Sequence, residues 1–205
     1  MSESIVTNED CMALMARYPD KHFDLAVVDP PYGMGDRWIR PGENAHKAAS
    51  LNGSKWDNEV PTQGYFDELS RICKRRIIWG GNYFNLGPCR GYLVWDKPEM
   101  RIFTMADGEL AWTDIDGPLK IKSISRASRG PTIHPTQKPI ALYEWIYKKY
   151  AKPGWKILDT HLGSGSNRIA AYKAGLDFVG CELDKDYFDA QEKRWAAYAS
   201  QGSLI

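Results

Sequence analysis

Apolar positions along the 205-residue chain fall into short runs whose period changes from one stretch to the next. "FDLAVV" (residues 23–28) is almost continuously apolar, as a strand buried on both faces requires. "RIIWGG" (76–81), "GYLVWD" (91–96), "GELAWT" (108–113), "WKILDT" (155–160) and "DFVGCEL" (177–183) are similar in length and character, and each predicts a strand. Between them the period lengthens. Phe66, Leu69 and Ile72 recur at helical spacing within residues 63–74, and Leu142, Trp145 and Ile146 mark a helix opened by Pro139. Further helices are predicted over residues 11–17, over "SNRIAAYKAG" ending at Gly175, and from an Asp184 N-cap to about residue 199.

This alternation predicts an α/β fold, a mostly parallel sheet with helices on both faces. There is no internal repeat, and the length suits a single domain over residues 1–205. Two stretches lack a period. Residues 33–62, rich in Gly, Asn, Ser and Lys, are too long for an ordinary connection and predict a mobile functional loop or lid. Residues 114–132 are basic, contain Gly and Ser, and predict irregular structure.

A hydrophobic fraction of 43% with 12% aromatics is that of a globular chain. No apolar run approaches the ~20 residues that span a bilayer, and the polar start "MSESIVTNED" is not expected to be a secretory signal. Cys11, Cys73, Cys89 and Cys181 form no CxxC pair, which argues against a zinc site or disulfide framework and for a reducing, cytoplasmic setting. A net charge of +1 says little, but its distribution says more. Residues 117–143 carry Lys120, Lys122, Arg126, Arg129 and Lys138 and no acid, a patch that suits a polyanion. The cluster Arg71, Lys74, Arg75 and Arg76 is equally compatible with ordinary solvated surface.

Candidate chemistry gathers where predicted strands end, which is where such folds bind ligands. In "ILDTHLGSGSNRIAA", Asp159 closes a strand, Gly163 and Gly165 form a turn, and a helix comes next. Glycines there let the backbone approach a ligand, and the helix start offers unpaired N–H groups. Glu182 closes the next strand about 20 residues on, a spacing that commonly holds ribose hydroxyls. Together they predict an adenosine-type cofactor, although a plain strand–turn–helix unit would use the same glycines. Arg168 stands where a dinucleotide fingerprint needs its third glycine, so NAD is disfavoured. In "DLAVVDPPYGMG", Asp29 ends a strand and Pro30 keeps a carbonyl but has no N–H. Carboxylate and carbonyl are two acceptors, suited to an exocyclic amino group, and Tyr32 adds a face for a planar ring. The blander possibility is a Pro-rich turn with Asp29 as a local cap.

Asp29-Pro30-Pro31-Tyr32 resembles the DPPY motif of amino-group DNA methyltransferases that use S-adenosylmethionine. "LDTHLGSGSN" resembles their cofactor motif, "IHPTQKP" the segment just ahead of it, and "NEDCMALM" the segment leading into the catalytic strand. The order resembles the beta subgroup, with the catalytic half first. The resemblance implies a Rossmann-like methyltransferase fold with a mostly parallel seven-stranded sheet in permuted order. It implies that Asp159, Gly163, Ser164 and Gly165 line the methionine side of the cofactor, with Asp29 nearby, and that Glu182, beside Leu183, holds the ribose. Asp10 and Cys11 would sit near the adenine, and Thr136 and Lys138 near the methionine carboxylate; Lys138 is equally suited to a phosphate or surface contact. The chain departs from the family pattern in His161, where Phe is usual, and in Ser166-Asn167, where a Thr pair is usual. No metal is implied.

The partner implied is double-stranded DNA, with a target base turned out of the helix onto Tyr32. Lys120, Lys122, Arg126 and Arg129 are the expected DNA contacts, and the loop bearing Arg37, Trp38, Arg40 and Lys47 is expected to close over the base. The segment 114–132 is short for target recognition, so a homodimer would enlarge the footprint. Adenine N6 is the expected acceptor. Cytosine N4, and a non-catalytic nucleic-acid binder that kept the fold, are the alternatives.

Overall fold

The computed structural model describes residues 2–34, 57, 59–103 and 106–202. Most of the expected 33–62 loop, including Arg37, Trp38, Arg40 and Lys47, lies outside the described residues. The strands are β1 (Ser4–Asn8), β2 (Leu25–Val28), β3 (Arg76–Trp79), β4 (Tyr92–Asp96), β5 (Gly108–Thr113), β6 (Lys120–Ser123), β7 (Lys156–Asp159) and β8 (Asp177–Glu182). The helices are α1 (Cys11–Met15), α2 (Gln63–Ile72), α3 (Ile140–Tyr150), α4 (Ser166–Lys173) and α5 (Lys185–Gly202).

Among the described residues the strands form one eight-stranded sheet in the order β1-β8-β7-β2-β3-β5-β4-β6. The first five run parallel, β5 is antiparallel to both β3 and β4, and β6 is parallel to β4. The sheet is therefore mixed and has eight strands where seven were expected. The two strands without a sequence signal, β1 and β6, are both sheet edges. Ile5 in β1 is 43% exposed and Ile121 in β6 is 63% exposed, so neither segment shows an inward apolar row. Backbone pairing to β8 and β4 makes them strands. Thus "KIKS", expected to be irregular, is an edge strand carrying Lys120 and Lys122.

Alternation along the strands builds two cores. Leu25 and Val27 of β2, with Ile77 and Trp79 of β3, face a cluster completed by Leu142 and Ile146 of α3 and Ala170 of α4. Ala26, Val28 and Ile78 face the opposite cluster, with Leu14 of α1 and Phe66, Leu69 and Ile72 of α2. Helices therefore cover both faces of the sheet. Because β5 runs against β3, its first residues reach the same edge as the last residues of β2, β7 and β8. The end of β4 reaches that edge as well.

Candidate active site

β2 is buried along its whole length, and its next residue, Asp29, meets a cavity of about 370 Å³. The chain turns there because proline fixes the backbone twice and Asp57 catches the three residues after the prolines. The Asp57 carboxylate accepts from the N–H groups of Tyr32 (2.5 Å), Gly33 (2.9 Å) and Met34 (3.3 Å). Gly80, just past β3, has φ +72°, and a Cβ there would collide with the Tyr32 ring, so a side chain at 80 would evict the tyrosine. Tyr32 stacks on Tyr83 with centroids 5.0 Å apart, and its hydroxyl donates to Asp29 Oδ1 at 2.5 Å.

The other Asp29 oxygen pairs with Lys138 Nζ, whose side chain is 1% exposed. Lys138 also lies 3.0 Å from Glu109 Oε2, and Lys97 Nζ donates to Glu109 Oε1 at 2.5 Å. Two acids and two lysines thus form a chain from the cavity into the sheet end. Burial pushes the Asp29 carboxyl above the ordinary range, with Lys138 opposing. Burial also opposes ionisation of Glu109, but Lys138 and Lys97 outweigh it and hold its carboxyl down to about 2. Lys138 keeps its proton against burial because Asp29 and Glu109 flank it.

On the other side of the cavity, β7 runs into the glycine turn. Gly163 and Gly165 have φ of +49° and +71°, conformations that favour glycine. Arg194 of α5 buttresses the turn from behind, donating to the Ser164 carbonyl (2.7 Å) and Ser166 Oγ (2.9 Å). Glu182 ends β8 with its carboxylate on the N–H groups of Gly163 (2.8 Å) and Asp184 (3.0 Å). Burial raises its pKa. Asp184 caps α5 through Asp186 and Tyr187, as its place in the sequence suggests. His161 is held by Thr160 Oγ1 at 2.9 Å and packs edge-on to Tyr65; burial pushes its imidazole down to about 4, so it lines the cavity as a neutral ring.

The cavity brings together Asp10, Cys11, Asp29, Pro31, Thr136, Lys138, His161, Gly163, Ser164, Glu182 and Leu183 from sites far apart in sequence. Pro30, which is buried, and Tyr32 do not line it. Asp10 also caps α1, accepting from Met12 N at 2.8 Å. Asp159, Gly165, Ser166 and Asn167 do not line it; Gly165 closes the turn and the other three stand behind it. Asp159 accepts from Asn167 Nδ2 (2.9 Å) and His161 N (3.1 Å), and burial drives its carboxyl up to about 8. Asn167 spends its amide on Asp159 and on the Val27 carbonyl (2.9 Å), and it accepts from the Tyr147 hydroxyl. Lys138 lines the cavity but is not at the surface: its ammonium is buried on Asp29. Arg129 turns inward, donating to the Arg126 carbonyl at 2.9 Å, while Gln137 pins its own carbonyl at 2.8 Å. Lys120 and Lys122 remain partly exposed on β6.

Lys97, Glu109 and Asp57 escaped the sequence reading. Glu109 carried a signal: an acid inside the apolar run "GELAWT" is costly to bury without a cation. His134, Tyr143 and Tyr187 also line the cavity, and His134 packs against Tyr187 at 4.3 Å. Among the described residues no cluster of His, Cys, Asp and Glu has metal-site geometry, no helix is long and apolar enough to cross a membrane, and the four cysteines are free.

A family model described as DNA methylase, of the N6/N4 methyltransferases, matches residues 78–193. The type II methyltransferase M.ScaI of Streptomyces caespitosus is 24% identical over 258 residues, covering 97% of this chain and 83% of that protein. The solved complex of M1.HpyAVI with SAM matches at 19% identity and a TM-score of 0.58, over 95% of this chain and 99% of that one. The PvuII DNA methyltransferase, described as cytosine-N4-specific, matches at 15% identity and a TM-score of 0.64, over 95% and 86%.

Proposed function

The chain belongs to the N6/N4 DNA methylase family, and we propose that it methylates the exocyclic N6 of adenine in double-stranded DNA. It is an enzyme, a DNA methyltransferase, and its cofactor is S-adenosylmethionine. The observation that carries the amino-group methyltransferase reading is that Asp29 and Glu182, from the two halves of the fold, open on one cavity. The order in the chain, Asp29 to Tyr32 first, then "HPTQKP", then the glycine turn, supports a DPPY enzyme of the beta subgroup.

The cavity suits the cofactor in chemistry. Glu182 is aimed by two backbone N–H groups and would take ribose hydroxyls. Asp10, Cys11 and Leu183 would take the adenine, and Thr136, Gly163 and Ser164 the methionine end, with the neutral His161 ring as wall. The bound cofactor supplies an electrophilic methyl group on sulfonium sulfur. The remaining work falls to the protein. The target nitrogen is a poor nucleophile, since its lone pair is delocalised into the ring, and its base must leave the duplex. Asp29 and the Pro30 carbonyl accept its two hydrogens and favour a pyramidal nitrogen. Tyr32 and Lys138 each hold one Asp29 oxygen, so the amino group competes with them for the carboxylate. Nitrogen would become positive as it bonds to the methyl carbon and the methyl–sulfur bond breaks, its electron pair leaving on a neutral thioether, and the Asp29 carboxylate matches that charge. The departing N–H proton goes to Asp29 or to water beyond it.

Lys120 and Lys122 on β6, together with Arg126 and Arg37, are the proposed phosphate contacts. Arg129 is better suited to holding the basic segment in place. A homodimer would extend this short footprint. Cytosine N4 is the second reading, favoured by the likeness to the PvuII enzyme; aspartate in the first motif position favours adenine. Incubating mixed-sequence duplex with S-adenosylmethionine, then weighing the digested nucleosides, tests both. N6-methyladenine that vanishes with Asp29→Ala supports the proposal. N4-methylcytosine moves the base, and no methylated base at all removes the function.

A further inference from the structure

Lys138 is shared between two carboxylates. Its Nζ pairs with Asp29 Oδ2 and lies 3.0 Å from Glu109 Oε2, in a side chain 1% exposed. Glu109 is held from its far side by Lys97 at 2.5 Å, and Lys97 lies 4.5 Å over the Trp95 ring. The four members carry two charges of each sign, so the chain is neutral when Asp29 is ionised. β4 and β5, strands that hold no part of the cofactor cavity, deliver Lys97 and Glu109 to the Asp29 end of the sheet.

We propose that Glu109, backed by Lys97, is a positioning residue for methyl transfer: it gives Lys138 a second carboxylate to rest on when the target amino group takes over Asp29. This rests on the reading of Asp29 as the amino acceptor. A buried ammonium stripped of its only counter-ion would be costly, so a Lys138 with no other partner would hold Asp29 against the base. With Glu109 in place, the cation loses one contact and keeps the other. The shared lysine thereby separates two needs, an ionised Asp29 and an available one.

Several other groups face this chain. The Tyr32 hydroxyl bonds Asp29, and the Tyr143 phenol of α3 lies in the field of Asp29 and Glu109. Asp159 on β7 feels Asp29, His134 feels Lys138, and Arg129 feels Glu109. Glu109 raises the Asp29 pKa and Lys138 lowers it, which fixes the signs of the test. Glu109→Gln keeps the shape and removes the second carboxylate. The expected result is a kcat for methyl transfer lower by about 10- to 100-fold, an unchanged KM for cofactor, and an acid limb moved to lower pH. Lys138→Met should move that limb to higher pH.

Glu109→Gln leaves Lys97 without its acid, so Glu109→Gln with Lys97→Met is the companion variant, neutral overall. It should stay slow, because Lys138 still has nowhere else to rest. Recovery of kcat in the pair, or a wild-type kcat and acid limb in Glu109→Gln, would overturn the proposal. Carbon-13 NMR of the Asp29 carboxyl in the DNA-free protein reads the chain without turnover. Asp29 titrating lower in Glu109→Gln and higher in Lys138→Met supports the coupling, and no movement in either overturns it. A wild-type protein that methylates no DNA would sink the functional reading alone, since the titration would still report on the four-residue chain.

Discussion

Asp29 and Asp159 close adjacent parallel strands, β2 and β7, at the same edge of the sheet, and burial pushes both carboxyls upward. Their partners differ. Asp29 touches the ends of two side chains, the Tyr32 hydroxyl and the Lys138 ammonium. Asp159 touches an amide locked between Val27 and Tyr147, and a main-chain N–H. One carboxylate faces the cavity with cations behind it; the other sits behind the glycine turn, held among the described residues by neutral groups. A place at a strand end is therefore not a role. A cation at a carboxylate that opens on the cavity suits the proposed acceptor, whereas neutral partners behind the turn suit a fastener.

The sharpest way to break this comparison is to make the same change twice. Asp29→Asn should cost about 10³-fold in kcat, since it removes the charge matched to the reacting nitrogen. Asp159→Asn should leave kcat within a few-fold. Single-turnover transfer to duplex DNA measures both, and equal losses would erase the distinction. Glu182, a third strand-end acid, belongs with Asp29 in facing the cavity but should act on binding. Glu182→Gln should weaken cofactor affinity by about 10- to 100-fold, the value of one or two hydrogen bonds to a charge, with DNA affinity unchanged in a fluorescence titration.

How far the sequence discloses these positions depends on the range of the interactions. Asp29 and Glu182 were legible because each ends an apolar run next to its own turn, so local pattern located them. The strands with an inward apolar row were legible for the same reason, whereas β1 and β6 were not: edges need only pair. Glu109 signalled only that it needs a cation; which cation it takes, and the part Lys97 plays, depend on β5 lying beside β3 and on residue 138 returning to β2. Ser166-Asn167 shows a further limit. Small polar residues at a helix start suit a ligand, but here Arg194 and the β2–β7 junction take them, and no local pattern distinguishes the two uses.

The fastener itself can be loosened. Asn167→Ala would strip partners from the Val27 carbonyl, the Asp159 carboxyl and the Tyr147 hydroxyl. Orphaned buried groups cost about 1–3 kcal/mol each, so a clear fall in denaturant midpoint is expected, with the surviving folded enzyme still active. A loss of transfer without a loss of stability would place Asn167 with the cavity residues instead.

The smallest effect on catalysis, and the finest test, is the pH dependence of Asp159. Its carboxyl is held up to about 8 in the fold, against roughly 3.9 in an unfolded chain. Below the lower value both states carry the proton, and burial costs nothing in charge. Between the two, the folded protein keeps a proton that the unfolded chain has shed, so stability falls as pH rises, by at most about 1.4 kcal/mol per unit. The amide in Asp159→Asn has no such proton to keep. The stability of that variant relative to the native chain should therefore improve steadily from about pH 4 to 8 and then level off. Urea unfolding across that range measures the gap. A gap that stays flat would mean Asp159 is already ionised in the fold. It would then need a compensating partner of the kind Lys138 gives Asp29, and the two aspartates would be alike after all.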